Sequence, residues 1–491
     1  REVPSPLIDK PAPAFYASLL RSHRSALHAA IVKELVAVGG SGAEVKPELL
    51  AHHCAEAGMI EEAVRHYLKA SEQAVVRSAL TEAAVLLDRA MGTASQLPNG
   101  PQHDRLELEV QSARGPVLIA VKGFAAAETD QAYARARDLW DRLGRPPEFL
   151  LRTARVRWSL HTNRSQFAEA HRVVEDLLEF GHAHGDAVGL ILGYFTRGLT
   201  HSYEGELQSA RRSLEEVVGR NDLATHPQLL RFAGTDPQAI ALAVLGRVLL
   251  FLGYPDQAII RCEAAMRQAR QLAHAPTLAQ CLAFGAAQAF AVGNDTQLAL
   301  CVQELRSLTR EHGYPQWSAL VPIFEGHLQL MRGEAREAIT LMRQGLDARR
   351  ANGVTLFNSN FTIPLAEALE KDGKSGEAFA LLDEQIAFVK GTGELWCAAG
   401  LHRLRGQLLL KGSMPDFAGA QAEFLVAIDI ARRQSAKLWE LRAAASLASL
   451  WRDQGKHGEA RDLVASVYGW FTEGFDMSDL ENAKALLYDL A

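Results

Sequence analysis

A short pattern of small and apolar positions recurs along the chain and predicts pairs of packed helices. A glycine is followed by a small residue, usually alanine, five positions later, and by a bulky apolar residue four positions further on. The glycine suits the left-handed end of one helix, and the alanine lets a second helix approach the first closely. Copies begin at Gly58, Gly205, Gly253, Gly333, Gly373 and Gly455, and weaker copies centre on Ala83, Ala132, Ala170, Leu298 and Ala420.

The spacing of this pattern is regular. In the second half of the chain the alanine position falls at 258, 298, 338, 378, 420 and 460. The interval from Ala210 to Ala258 is 48, which implies an eight-residue insertion. Period-two alternation of apolar residues, the signal of a strand, is scarce. The pattern therefore predicts an all-α fold, a helix-pair solenoid with a repeat of about 40 residues.

Proline and glycine breakers divide the solenoid into segments. The predicted segments are a Pro-rich lead at 1–14, N-terminal repeats at 15–217, an insertion loop at 218–238, C-terminal repeats at 239–476 and a capping helix at 477–491. The insertion is either a functional loop or a surface loop without a role. For the last helix, Ser478 and Glu481 predict a capping box.

Composition excludes several classes of protein. The 491 residues are 48% apolar, which is too high for a disordered chain, and a net charge of −6 argues against a nucleic-acid binder. The five cysteines include no CxxC pair, so they are expected to be free thiols in a reducing cytoplasm. The apolar stretch at 239–254 is too short for a membrane span and has Arg247 in its middle, so a buried helix is expected.

Catalytic motifs are largely missing from the sequence. Gly373-Lys374-Ser375 resembles the end of a phosphate loop, but Ala368 stands where that loop needs a glycine, and the triplet falls in a repeat turn. The group His52, His53, Cys54 and His66 is interpreted as surface and packing residues. We therefore expect no catalytic residue, no metal site and no cofactor in this chain.

The repeat resembles the tetratricopeptide repeat, which implies a right-handed superhelix. Longer stretches resemble the C-terminal repeat region of bacterial multidomain signalling ATPases, a group often fused to a class III adenylate/guanylate cyclase or to a winged-helix regulator. These stretches are Tyr16–Ser22 with Ala26–His28, Pro47–His53, Leu252–Ala258, Leu401–Leu410 and Tyr468–Asp476. The four prolines at positions 4, 6, 11 and 13 depart from that pattern.

By the same resemblance, one face of each first helix should line the inner groove of the superhelix. A groove that mixes apolar residues with arginines can hold an extended or helical partner that carries an acidic group. Packing against another part of the same polypeptide is the alternative. The predicted partner-binding residues are Phe195, Leu199, Arg247, Ile323, His327, Glu367, Arg403 and Gln407.

Three interpretations of function follow. The first is a non-catalytic interaction or sensor module that binds a protein or ligand and regulates an attached signalling ATPase or nucleotide cyclase, with no nucleic acid or membrane partner. The second is an enzyme, a cyclase or ATPase whose catalytic domain lies outside this chain. The third is a passive scaffold or oligomerisation arm.

Overall fold

The structure, a computed structural model, describes residues 21–40, 45–123, 126–146, 149–220, 225–411 and 414–491. The predicted Pro-rich lead at 1–14 lies outside them. Of the described residues 83% are helical and none lies in a strand, so the predicted all-α helix-pair solenoid is confirmed.

The chain divides into two compact units, residues 1–114 with 135–144, and residues 115–134 with 145–491. The first unit contains α1 (Arg21–Gly40), α2 (Pro47–Ala57), α3 (Ile60–Val76) and α4 (Leu80–Ala94), and both units share α5 (Pro101–Lys122) and α6 (Ala127–Arg142). The second unit continues with α7 (Leu150–Asn163), α8 (Phe167–His184), α9 (Ala187–Glu204), α10 (Leu207–Gly219), α11 (His226–Ala233), α12 (Pro237–Leu252), α13 (Pro255–Gln271), α14 (Ala275–Val292), α15 (Asp295–His312) and α16 (Pro315–Ser318). It ends with α17 (Leu320–Met331), α18 (Ala335–Ala351), α19 (Asn358–Lys371), α20 (Ser375–Thr392), a 3-10 turn (Leu395–Cys397), α21 (Ala398–Leu409), α22 (Phe417–Arg433), α23 (Lys437–Asp453), α24 (His457–Tyr468) and α25 (Ser478–Asp489).

The repeat turns have the predicted geometry. All six glycines that begin a copy of the pattern have a φ between +77° and +97°, the left-handed region that favours glycine. The alanines five positions later, at 63, 210, 258, 338, 378 and 460, are fully buried. Lys374 and Ser375 are exposed at their turn, as the repeat register requires.

Small residues on the first helix let the second helix approach closely. A Cβ atom built on Gly246 would lie 2.8 Å from the carbonyl oxygen of Ala258, and one on Gly326 would lie 2.8 Å from that of Ala338. Both glycines lie seven positions before a turn glycine. The contact between the two helices of a repeat is therefore made through backbone and methyl groups.

We expect the substitution Ala258→Leu to cost about 1–3 kcal/mol of the free energy of unfolding, because added methylenes overpack this contact. Lys374→Ala is the control, and as a change at an exposed turn it should stay within about 0.5 kcal/mol. Urea unfolding of both variants measures the difference. A silent Ala258→Leu, or a larger loss in Lys374→Ala, would show that the assigned register is wrong.

Two local predictions differ from the structure. The predicted capping box is wrong: Met477 occupies the N-cap position of α25, and no side chain caps the helix. Because Ser478 is already helical, its hydroxyl is not placed as an N-cap acceptor. The segment predicted as an insertion loop, 218–238, contains the helix α11, whose C-cap is Gly234 with a φ of +69°. Residues 221–224 of that segment lie outside the described ranges.

The apolar stretch around Arg247 forms a core helix. All sixteen residues of α12 are buried, as expected from its sequence. A second apolar helix, α14, has the length and composition to cross a membrane, but 61% of its residues are buried inside the structure. This burial is typical of a core helix.

Within the second unit, successive turns of the superhelix touch one another. The carbonyl oxygen of Asn163 accepts a hydrogen bond from the hydroxyl of Thr355, 192 positions later, at 2.6 Å. The carboxylate of Asp256 accepts one from the amide of Gly474, 218 positions later, at 3.3 Å. Both separations amount to about five repeats, so these contacts join repeats that lie one superhelical turn apart.

Candidate functional site

The inner surface of the second unit encloses a cavity of about 210 Å³. Helices α7, α9, α12, α14 and α19 contribute to its wall. Eleven aromatic side chains line it, together with four arginines, and no aspartate, glutamate or lysine is among the described residues of the lining. The aromatic residues are Trp158, Tyr203, Phe251, Phe284, Phe290, Trp317, Phe324, Phe357, Phe361, Trp396 and Trp439, and the arginines are Arg155, Arg247, Arg349 and Arg442. We refer to this space as the arginine cavity.

Arg247 lies at the centre of the aromatic wall. Its guanidinium carbon is 4.7 Å from the ring centroid of Phe357, 4.8 Å from that of Trp396 and 5.8 Å from that of Tyr203. The residue is only 6% exposed, and its Nη2 donates a hydrogen bond to the hydroxyl of Ser202 at 2.9 Å. Its Nη1 is buried and has no hydrogen-bond partner among the described residues. Burial lowers the pKa of Arg247 to about 10, so the group stays cationic at neutral pH.

Arg155 is a second cation with no carboxylate beside it in the described part of the chain. Its guanidinium lies 5.0 Å from the ring of Trp158 and 5.9 Å from that of Phe195. Its Nε is buried, again without a hydrogen-bond partner in the described ranges. Burial lowers its pKa to about 10. The aromatic faces therefore supply the contacts that the structure gives this charge.

Arg349 donates its hydrogen bonds to neutral oxygens. Its Nε lies 2.7 Å from Oδ1 of Asn358, and its Nη2 lies 2.5 Å from the carbonyl oxygen of Leu356. The charge that acts on it is that of Glu394, which is fully buried. Burial raises the pKa of Glu394 to about 7, against the opposing effects of Arg349 and Arg247.

Glu394 also holds a strained backbone position. The amide of Phe357 donates a hydrogen bond to Oε1 of Glu394 at 2.8 Å. Phe357 has a φ of +69°, which is rare for a residue with a side chain and costs about 1–3 kcal/mol. The strain places the Phe357 ring against Arg247, Tyr203 and the wall of the cavity. Such strain is concentrated at binding sites and switches in proteins.

A more open hollow adjoins the arginine cavity and shares Phe290, Ala291 and Arg442 with it. In contrast to Arg247, Arg442 has an anionic partner, Asp479, at 2.7 Å. Arg403 lines this hollow, and burial lowers its pKa. The cations of the hollow are thus more nearly balanced by acidic residues than the cations of the arginine cavity.

The eight predicted groove residues fall into three groups. Leu199 and Arg247 line the arginine cavity. His327, Arg403 and Gln407 line the adjoining hollow. The remaining three lie in or near the helix packing: Phe195 is fully buried, Ile323 is 2% exposed, and Glu367 is close enough to Arg403 to raise its pKa.

Sequence reasoning missed several residues of the cavity. The register itself points to Arg155, which lies 40 positions before Phe195, but Trp158 replaces the small residue that marks the register in other repeats. Phe357, Trp396 and Glu394 lie in connections between helices, outside the first-helix register. No sequence signal identifies them.

In the first unit, His103, Asp104 and Glu107 place three ligand atoms within 4.8 Å of one another. Both carboxylates already have cationic partners, since Arg142 lies 2.7 Å from Asp104 and Arg135 lies 2.6 Å from Glu107. A metal ion there would compete with two guanidinium groups.

In the group of His52, His53, Cys54 and His66, the side chains of Cys54 and His52 are not arranged as metal ligands. Cys54 is fully buried, and burial raises the pKa of its thiol. His52, two positions earlier, is exposed. A buried, protonated thiol beside an exposed imidazole does not form a converging set of metal ligands.

No protein-family model matches the chain. Among curated proteins, the chain is similar to an uncharacterised protein of Rhizobium meliloti (strain 1021), with 23% identity over 442 residues. The match covers 89% of this chain and 42% of the relative, so the chain spans less than half the length of the curated relative.

Solved structures share the fold. The Rap protein complexed with competence and sporulation factor aligns with a TM-score of 0.57 and 11% identity, over 76% of this chain and 99% of that one. The Cut9–Hcn1 hetero-tetramer of APC/C aligns with a TM-score of 0.51 and 14% identity, over 90% of this chain and 76% of that one. Together they show a tetratricopeptide-like helical solenoid, as the sequence predicts. A tetratricopeptide-repeat sensor ATPase of Pyrococcus horikoshii aligns over 83% of this chain and 66% of that one, with 11% identity and a TM-score of only 0.34.

Proposed function

We propose that this chain is a non-catalytic sensor module that binds its ligand in the arginine cavity. The observation that carries the proposal is the wall itself: aromatic rings and arginines, with no acidic residue among the described residues that line it, enclosed by helices of the second unit. Concave, mostly apolar sites with a few converging polar groups are the usual form of ligand pockets. The structural neighbours support a binding role, since the Rap structure contains a bound factor and the Cut9 structure contains a protein partner.

The proposed output is regulation of an attached domain. The resemblance of the repeats to those of bacterial signalling ATPases supports a signalling ATPase or nucleotide cyclase as the regulated part. The curated relative supports a longer polypeptide, because more than half of its length lies outside the match. An enzyme whose catalytic domain lies elsewhere and a passive scaffold are the alternatives, and a cytoplasmic location is part of the proposal.

The proposed mechanism couples occupancy of the cavity to superhelix curvature. The cavity wall includes residues from repeats that lie one superhelical turn apart, for example Phe251 and Trp439, whose rings stack with centroids 5.2 Å apart. A ligand that contacts both turns would favour the closed arrangement over an opened one. The equilibrium would then bias whatever domain is attached to the ends of the solenoid.

Filling the cavity should abolish ligand binding while leaving the fold intact. Ala287 lines the cavity and is partly exposed, so Ala287→Trp places an indole in the space that a ligand would occupy. We expect the low-molecular-weight fraction of a cell extract to raise the melting temperature of the wild-type chain but not that of Ala287→Trp, because only a protein with the cavity free can be stabilised by a ligand bound there.

The matched control is Ala380→Trp, at an exposed position of α20. This variant should be stabilised by the extract as the wild type is. Equal stabilisation of the wild type and Ala287→Trp would place the binding site elsewhere, and no stabilisation of either would argue against a small-ligand sensor.

A further inference from the structure

We propose that the arginine cavity selects a compact organic acid, an aromatic ring that bears a carboxylate, and that Arg247 is the residue that anchors the carboxylate. This inference rests on the proposed function, since it assumes that the cavity is the binding site. It adds the chemical class of the ligand and the residue that recognises it.

The charge of the cavity wall indicates an anion. Of the four arginines, only Arg442 has an ion-pair partner among the described residues. The buried Glu394 influences Arg349 and Arg247 from beyond ion-pair distance, and Arg155 has no such influence. Arg247 and Arg155 also each keep a buried nitrogen without a hydrogen-bond partner in the described part of the chain. A buried cation that lacks an anionic partner destabilises a protein. A ligand carboxylate would remove this penalty and accept the hydrogen bonds that Arg247 Nη1 leaves unmade.

The geometry of Arg247 suits a carboxylate. Guanidinium groups bind carboxylates through two parallel hydrogen bonds, and they do so best where water is excluded. Arg247 is almost fully buried, and one of its two terminal nitrogens is already oriented by Ser202. The buried Nη1 is therefore held in place before the ligand arrives, which lowers the entropic cost of binding.

The size and lining of the cavity indicate an aromatic body. A cavity of about 150 Å³ in another protein holds benzene, and this one has a volume of about 210 Å³. It therefore has room for one six-membered ring, a short link and a carboxylate. Phe284, Phe357 and Trp396 surround the guanidinium, and aromatic walls of this kind favour stacked or edge-on contact with a ligand ring.

The same chemistry occurs in two kinds of ligand, a free aromatic acid and the C-terminal residue of a peptide ending in phenylalanine. The probes are therefore 3-phenylpropanoate, its neutral analogue 3-phenylpropan-1-ol, and acetyl-Gly-Gly-Phe with either a free or an amidated C-terminus. Isothermal titration calorimetry on the whole chain measures each affinity.

We expect the wild type to bind 3-phenylpropanoate at least about 10-fold more tightly than the alcohol. The reason is that a hydrogen bond to a charged group is stronger than one between neutral groups, by a free energy that corresponds to roughly this change in affinity. Stronger binding of the free-acid peptide than of 3-phenylpropanoate would identify a peptide C-terminus as the natural source, whereas the amidated peptide should not bind.

Arg247→Met tests the anchor through two separate readouts. The variant should lose the preference for the acid over the alcohol. Its melting temperature without ligand should be higher than that of the wild type, because a buried charge has been replaced by an apolar side chain of similar length. A structural role for Arg247 would instead lower the melting temperature. The control Arg343→Met, at an exposed ion pair with Glu377, should keep the preference.

Arg155→Met provides a second test that does not depend on Arg247, and it should weaken the preference for the acid.

The proposal is overturned if the wild type binds acid and alcohol equally, if Arg247→Met keeps the preference, or if none of the acids binds. In the last case, stabilisation of the wild type but not of Ala287→Trp by cell extract would still support the sensor role, so failure of the ligand class and failure of the proposed function can be told apart.

Discussion

Replacing Glu394 by alanine should cost about 1–3 kcal/mol of the free energy of unfolding, the range for leaving a buried hydrogen-bond donor without its acceptor. Glu394 is fully buried, and its charge acts on both Arg247 and Arg349. Its loss also leaves the Phe357 amide without its acceptor and so releases the strained turn. Urea unfolding at neutral pH measures the loss.

The matched control is Glu377→Ala. Glu377 forms an ion pair with Arg343 at 2.6 Å on the surface, where such pairs contribute about 0–1 kcal/mol. Similar losses in the two variants would mean that the hydrogen bond from Phe357 to Glu394 contributes no more than a surface ion pair. The calorimetric comparison of acid and alcohol can be repeated in Glu394→Ala only if that variant remains folded at the temperature of the assay.

Acid should destabilise the chain through two buried histidines. Burial lowers the pKa of His274 and of His327 to about 4, from an ordinary value of 6.5. The folded state then binds fewer protons than the unfolded state, so this part of the stability is present above about pH 6.5 and declines as the pH falls towards 4. A pKa of about 4 in place of 6.5 corresponds to about 3 kcal/mol for each histidine.

His327→Gln isolates one of these contributions. Between pH 7 and pH 4 the variant should lose about 3 kcal/mol less stability than the wild type, measured by urea unfolding at each pH. Glu394 acts in the opposite direction, because its raised pKa removes stability as the pH rises from about 4.5 to 7, but it is present in both proteins and cancels in the comparison. His457→Gln, at an exposed position, is the control and should follow the wild type. Identical pH profiles for wild type and His327→Gln would contradict the prediction.

The sequence predicts those features that depend on one helix pair. A turn glycine such as Gly253 and the alanine five positions later specify a local contact, so their conformation and burial follow from spacing alone. The resemblance to tetratricopeptide superhelices predicts that Leu199 and Arg247 face an inner groove. Both residues line the arginine cavity in the structure, and their role in binding a partner stays a prediction.

What the sequence does not reveal is how residues from distant repeats combine. Phe357 and Trp396 contact Arg247 from connections that lie 110 and 149 positions later in the chain. The curvature of the superhelix brings them together, and no local sequence pattern specifies a contact over such a separation. The unusual φ of Phe357 depends on a carboxylate 37 positions away. The cavity is therefore a tertiary property of the repeats, whereas the repeats themselves are a local one.

Contact between successive superhelical turns has a consequence for the evolution of this chain. In an open solenoid, repeats can be gained or lost because each one touches only its neighbours. Here Asn163 must meet Thr355, and Asp256 must meet Gly474, about five repeats further on. Deleting or duplicating one repeat between them would bring the wrong partners together at every such contact. The number of repeats is thus constrained as strictly as the residues of a hydrophobic core, and homologues that keep the cavity should keep that number.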